Sequence, residues 1–118
     1  MRKMLIPAAA ILLFAIPAIA GDETGNWKRP NGDIVEVKVV NNGLFCKITK
    51  GKKVGFEMCH GMKTTGPNVW KGKGMKHPSM PGFMTFNGTV TINQSKLEIK
   101  GCVAGDGVCD KEVWSKVN

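Results

Sequence analysis

The chain has 118 residues, 42% of them hydrophobic, four cysteines and a formal net charge of +8, which bounds it to one small domain. The positive excess is almost all lysine, and Arg29 is the only arginine after the first three residues. Specific nucleic-acid readers depend on arginine forks and interleaved aromatics, so a nucleic-acid partner is not expected.

The chain opens with MRKMLIPAAAILLFAIPAIA. Two cations, an apolar run and the small residues Ala18 and Ala20 are the pattern of an export signal cleaved after Ala20. Residues 1–20 are therefore read as a signal peptide and 21–118 as the domain, periplasmic or secreted and not membrane-spanning after processing. Cleavage leaves 98 residues and lowers the charge to +6, because Arg2 and Lys3 are lost. A domain this small benefits from staples. Four cysteines in an exported chain imply two disulfides, and four allow three pairings. The tight turn expected at Gly105-Asp106-Gly107 favours Cys102 with Cys109, which leaves Cys46 with Cys59.

Val35, Val37 and Val39 alternate with Glu36 and Lys38, the signature of a half-buried strand. Asn41-Asn42-Gly43 supplies a turn that tolerates positive φ, and residues 44–49 resume the alternation as a hairpin partner. Residues 51–66 show the weakest pattern and are expected to form a long connection. Residues 68–75 read as a strand with glycines where backbones approach. Met84, Phe86, Val90 and Ile92 share one face of the next strand, with Gly88 as a bend or bulge. Leu97 and Ile99 continue the inward face after a turn at residues 93–95, and residues 113–117 form a short last strand. No segment of the domain carries a sustained helical period. The fold class expected is all-β, a small antiparallel barrel or sandwich.

Gly25-Asn26-Trp27 opens the domain and Trp114-Ser115-Lys116 closes it. This arrangement resembles the closure of lipocalin-like (calycin) barrels, in which an indole plugs one end and a cation covers its ring. That resemblance assigns barrel closure to Trp27, Trp114 and Lys116, with lysine where such barrels more often carry arginine. The stretches Gly25-x-Trp27, Asn31-Gly32-Asp33, Leu44-x-Cys46-x-Ile48, Cys59-x-Gly61, Trp70-x-Gly72-x-Gly74, His77-Pro78, Leu97-x-Ile99-x-Gly101-Cys102 and Cys109 with Trp114 resemble, in order, an exported bacterial family known as domain of unknown function 2147. Family members usually carry an acidic or amide residue in place of His77 and fewer methionines. The resemblance implies a lipocalin-like fold in the envelope or outside the cell, and no established activity.

The stretch Met75-Lys76-His77-Pro78-Ser79-Met80-Pro81-Gly82-Phe83-Met84 concentrates thioether and imidazole groups that suit copper. A copper site would use His77 with Met80 and Met75 or Met84, joined by His60. The competing reading is a loop between strands whose methionines fill the core and whose histidine is exposed. Lysines around it, with no carboxylate expected nearby, oppose a bound cation. Cofactors are thus none, with copper as the alternative. Scattered acids and serines off any glycine-flanked elbow point away from an enzyme. The expected function is non-enzymatic binding of a small apolar or amphipathic ligand in the barrel. Lysines at positions 50–76 offer a second partner class, anionic envelope components.

Overall fold

The computed structural model describes residues 23–103 and 107–118. The expected signal peptide and the Gly105-Asp106 part of the expected turn lie outside those residues. Eight strands run in sequence: β1 (Gly25–Lys28), β2 (Ile34–Val40), β3 (Gly43–Lys50), β4 (Glu57–Gly66), β5 (Val69–Met75), β6 (Phe86–Asn93), β7 (Lys96–Val103) and β8 (Val108–Lys116). Each pairs antiparallel with its neighbours and β8 returns to β1, closing the barrel. The all-β barrel is the expected class. The closing pair is short, Trp27 opposite Lys116 and Lys28 opposite Ser115.

Alternation builds the wall. Val35 and Val37 of β2, Leu44, Cys46 and Ile48 of β3, Val90 and Ile92 of β6, and Leu97 and Ile99 of β7 are buried, while Lys38, Lys47, Lys96 and Lys100 are exposed. Leu44, Ile48, Met58, Met62, Leu97 and Trp114 are fully buried, so side chains fill the barrel's middle section. Phe86 lies across Gly101, where an added Cβ would stand 2.7 Å from its ring. Both disulfides join residues directly opposite on adjacent strands, Cys46 with Cys59 across β3 and β4 and Cys102 with Cys109 across β7 and β8. These are the expected pairings.

Four sequence readings need correction. The expected connection at 51–66 ends at residue 56, and β4 follows it. Met58 and Cys59 are buried side by side and the β3–β4 register shifts on both sides of Cys46, so a bulge breaks the two-residue period there. Met84 precedes β6 and is 36% exposed, because the strand starts only at Phe86. Gly88 is no bulge in the β6–β7 ladder, which runs in unbroken register; its missing side chain makes room for Met75 and Phe86. The last strand starts at Val108, and Val113 points outward at 46% exposure.

The connections sort by length onto the two ends. Residues 41–42, 67–68 and 94–95 are two-residue turns at one end, here the tight end. Asn41 and Asn42 both have positive φ, 51° and 66°, as the twist of a two-residue hairpin requires. Residues 29–33, 51–56 and 76–85 join strands at the opposite, loop end, where β7 also passes to β8.

Candidate functional site

At the tight end, Trp27 is fully buried and its Nε1 donates to Glu23 O at 3.0 Å. Lys116 Nζ sits 4.9 Å from the centre of the Trp27 ring and donates to Thr24 O at 2.6 Å. An indole thus occupies this end with a cation over its face, an arrangement that stabilises by about 0.5–2 kcal/mol beyond burial. Trp114 is also buried, but its Nε1 donates to Glu112 Oε2 at 2.6 Å and links the core to the other end.

Space opens at the loop end. A cleft of about 300 Å³ lies between the 76–85 connection and the facing strands. Its apolar wall includes Met80, Met84, Phe86, Ile99, Val103 and Val108, and its polar side includes His77, Ser79 and Glu112. This volume is at the low end of small-molecule sites, which run about 300–1,000 Å³.

The polar side rests on a compact ion cluster. Glu112 falls on the inward face of β8, opposite Ile99 in register and two residues before buried Trp114. Arg29, only 7% exposed, donates from Nε to Glu112 Oε2 at 2.7 Å and from Nη1 to Asp33 Oδ2 at 2.9 Å. Asp33 is placed by its own turn, its N–H bonding Asn31 Oδ1 at 3.0 Å. Burial alone would raise the Glu112 carboxyl, yet hydrogen bonds from His77, Arg29 and Trp114, with the charge of Arg29, hold it down at about 2. Burial likewise works against the Arg29 charge, and the bond to Glu112 and the two carboxylate charges outweigh it, raising its pKa.

His77 ties the 76–85 connection to this cluster. Its Nδ1 accepts from the Ser79 N–H at 3.1 Å and from the Ser79 hydroxyl at 2.7 Å. Those donors assign the proton to Nε2, which donates to Glu112 Oε1 at 3.2 Å. The 3.3 Å approach of Arg29 Nη2 to the same nitrogen is then a contact between two donors. Lys53 Nζ adds a second tie, donating to Pro78 O at 2.6 Å. Met80 packs against the core from above. The connection is a strap across the barrel mouth.

The order Ser79, His77, Glu112 is that of a hydrolytic relay, but its geometry is that of a capped turn. The imidazole accepts the N–H of the same serine whose hydroxyl it holds, inside the turn closed by Met80 N to His77 O at 3.0 Å. Glu112 already receives His77, two Arg29 nitrogens and Trp114, which fills its acceptor capacity. His77 therefore positions the strap.

Of the five candidate copper ligands, His77, Met80 and Met84 line this one cleft. Met75 does not join them, being 4% exposed in the core. His60 stands on the outer wall against Glu57 and the edge of Phe45. His77 is half-buried and bonded rather than free, and a carboxylate, Glu112, stands beside it, contrary to expectation. With both its ring nitrogens engaged and Arg29 beside it, a cation has no ready imidazole lone pair. Among the described residues, no three of His, Cys, Asp and Glu group as a metal-binding set.

Sequence reasoning missed Arg29, Asp33 and Glu112 as a unit. The signal was a carboxylate sharing strand parity with Trp114, and the lone arginine that must pair with it. Comparisons with protein-family models, with curated proteins and with solved structures found no match.

Proposed function

We propose that this protein is a non-enzymatic carrier that binds a small apolar or amphipathic molecule at the loop end of the barrel, in the periplasm or outside the cell. The observation that supports this most is the cleft itself: an apolar wall of Met80, Met84, Phe86, Ile99, Val103 and Val108 faces the polar groups of His77 and Glu112. An apolar body would lie on the wall while a polar group meets the strap. Because side chains fill the barrel's centre, the ligand belongs in the mouth rather than in a deep interior chamber.

The two disulfides fit an oxidising, non-cytoplasmic compartment. Export by the signal at residues 1–20 and membership of the domain of unknown function 2147 family are parts of the same proposal. An eight-stranded barrel with a cation over a buried indole is compatible with both.

Titration with N-phenyl-1-naphthylamine, an apolar fluorophore, tests the reading. Saturable enhancement near one equivalent is expected, falling at least tenfold in affinity in Val103→Trp, whose indole would fill the cleft. Unchanged binding by a folded Val103→Trp variant, or no saturable binding by the parent, would discard the cleft as the site. Incubation with p-nitrophenyl esters should give no turnover that depends on Ser79; loss of a measurable esterase rate in Ser79→Ala would instead establish the relay.

A further inference from the structure

The three most exposed large apolar side chains of the described residues share one end, while Val40, Val113 and Val117, at 48%, 46% and 50%, lie away from it. Phe83 is 86% exposed, Val54 64% and Val108 63%, and each belongs to the loop end. They come from three separate segments: residues 76–85, residues 51–56 and the start of β8. The segments adjoin one another. Lys53 Nζ reaches Pro78 O, and Met84 and Val108 line the same cleft.

Phe83 is presented by design of its turn. Met84 N donates to Pro81 O at 2.9 Å, which places Gly82 and Phe83 at the turn's apex, and Lys76 Nζ braces it through Gly82 O. Met80 on the near side is held down against the core, so the strap buries one apolar side chain and exhibits the other. Leaving a phenyl ring in water forfeits the gain of its burial, which an isolated monomer would recover simply by tucking it in.

Cations surround these tips. Lys28, Lys50, Lys52, Lys53 and Lys76 are exposed at or beside the loop end. The bonds of Lys53 and Lys76 go to neutral carbonyls, which leave the ammonium charge in place. Asp33 is already paired with Arg29 and Glu57 with His60, and Asp110, on β8 behind Val108, is exposed. Exposed apolar side chains among exposed lysines match an anionic bilayer: the apolar groups enter the acyl boundary while the ammonium groups meet lipid phosphates.

We infer that the loop end docks on anionic lipid membranes, with Phe83 inserting at its centre and Val54 and Val108 beside it. Docking places the mouth of the cleft against the lipid surface. It does not require that the cleft hold a ligand, so the two readings fail separately.

The experiment is cosedimentation of the full domain with vesicles of phosphatidylglycerol and, in parallel, of phosphatidylcholine. Binding to the anionic vesicles alone is expected. It should weaken about tenfold in Phe83→Ser, weaken similarly in the Lys50→Glu/Lys52→Glu double variant, and fall as salt rises. Trp27, Trp70 and Trp114 are buried, so a Phe83→Trp variant adds a solvent-exposed emitter. Its emission should shift to the blue with anionic vesicles and be quenched by brominated acyl chains. Equal binding to both vesicle types would overturn the charge argument. Anionic binding that Phe83→Ser leaves intact, with no blue shift, would mean adsorption without insertion and overturn the inference. So would absence of vesicle binding, including the case where the protein binds polyglutamate instead.

Discussion

The two ends of the barrel are made from the same eight strands and opposite chemistry. At the tight end, two-residue turns, Trp27 and Lys116 leave little to move. At the loop end, longer connections carry a cleft, an ion cluster and the most exposed apolar side chains of the described residues. Short turns consume their sequence in backbone geometry, as Asn41 and Asn42 do. Long connections have residues to spare, and function collects on them. The ion cluster is what lets a ten-residue strap serve as part of a site, since it fixes His77 relative to Arg29 and Glu112.

The sharpest contrast is between the two exposed or buried aromatics. Trp27→Ala at the tight end should cost about 3–5 kcal/mol, read from urea unfolding. Phe83→Ala at the loop end should change stability by less than about 0.5 kcal/mol. A large loss from Phe83→Ala would mean that its ring packs somewhere, and the contrast between the ends would break.

The ion cluster should give the loop end a pH signature. The Glu112 carboxyl is held at about 2 in the fold against an ordinary 4.5. A depressed carboxyl adds stability that is fully present above its ordinary value and is lost as pH falls through about 2. The gap in unfolding free energy between the parent and Glu112→Gln should therefore be on the order of 3 kcal/mol at pH 6 and close up by pH 2. A gap that stays constant with pH would remove the charge argument.

The Cys102–Cys109 bridge closes a short loop, with a sequence separation of 7. Replacing both with alanine should lower stability by about 2–3 kcal/mol and loosen the β7–β8 wall of the cleft, seen as faster amide exchange at Val103 and Val108. Faster exchange at Val35 and Val37 instead would show that the two ends are not independent. A smaller loss than that of the disulfide is expected from Lys116→Met, about 0.5–2 kcal/mol from the cation over Trp27, with probe binding at the far end unchanged.

How much of this was legible follows from strand parity. Val35, Val37 and Val39 announce their face because a one-residue slip would expose all of them. The same rule misleads in the last strand, where Val113 and Val117 draw the eye but are 46% and 50% exposed. The inward positions there are Glu112 and Trp114. A carboxylate reads as solvent-facing until its partner is known, and Arg29 lies 83 residues away. Hidden pairing over that distance also concealed why His77 sits in the strap. The disulfides were legible only as a preference, and β4 was hidden by the bulge around Cys46 and Cys59.

The five methionines of the domain sample both regions and offer the most direct test. Met58 and Met62 are fully buried in the packed middle, whereas Met80 and Met84 line the cleft. In protein labelled with ¹³C at the methionine methyl groups, titration with N-phenyl-1-naphthylamine should shift the Met80 and Met84 signals and leave those of Met58 and Met62 in place. Movement of Met58 and Met62 while Met80 and Met84 stay still would contradict a binding site at the loop end.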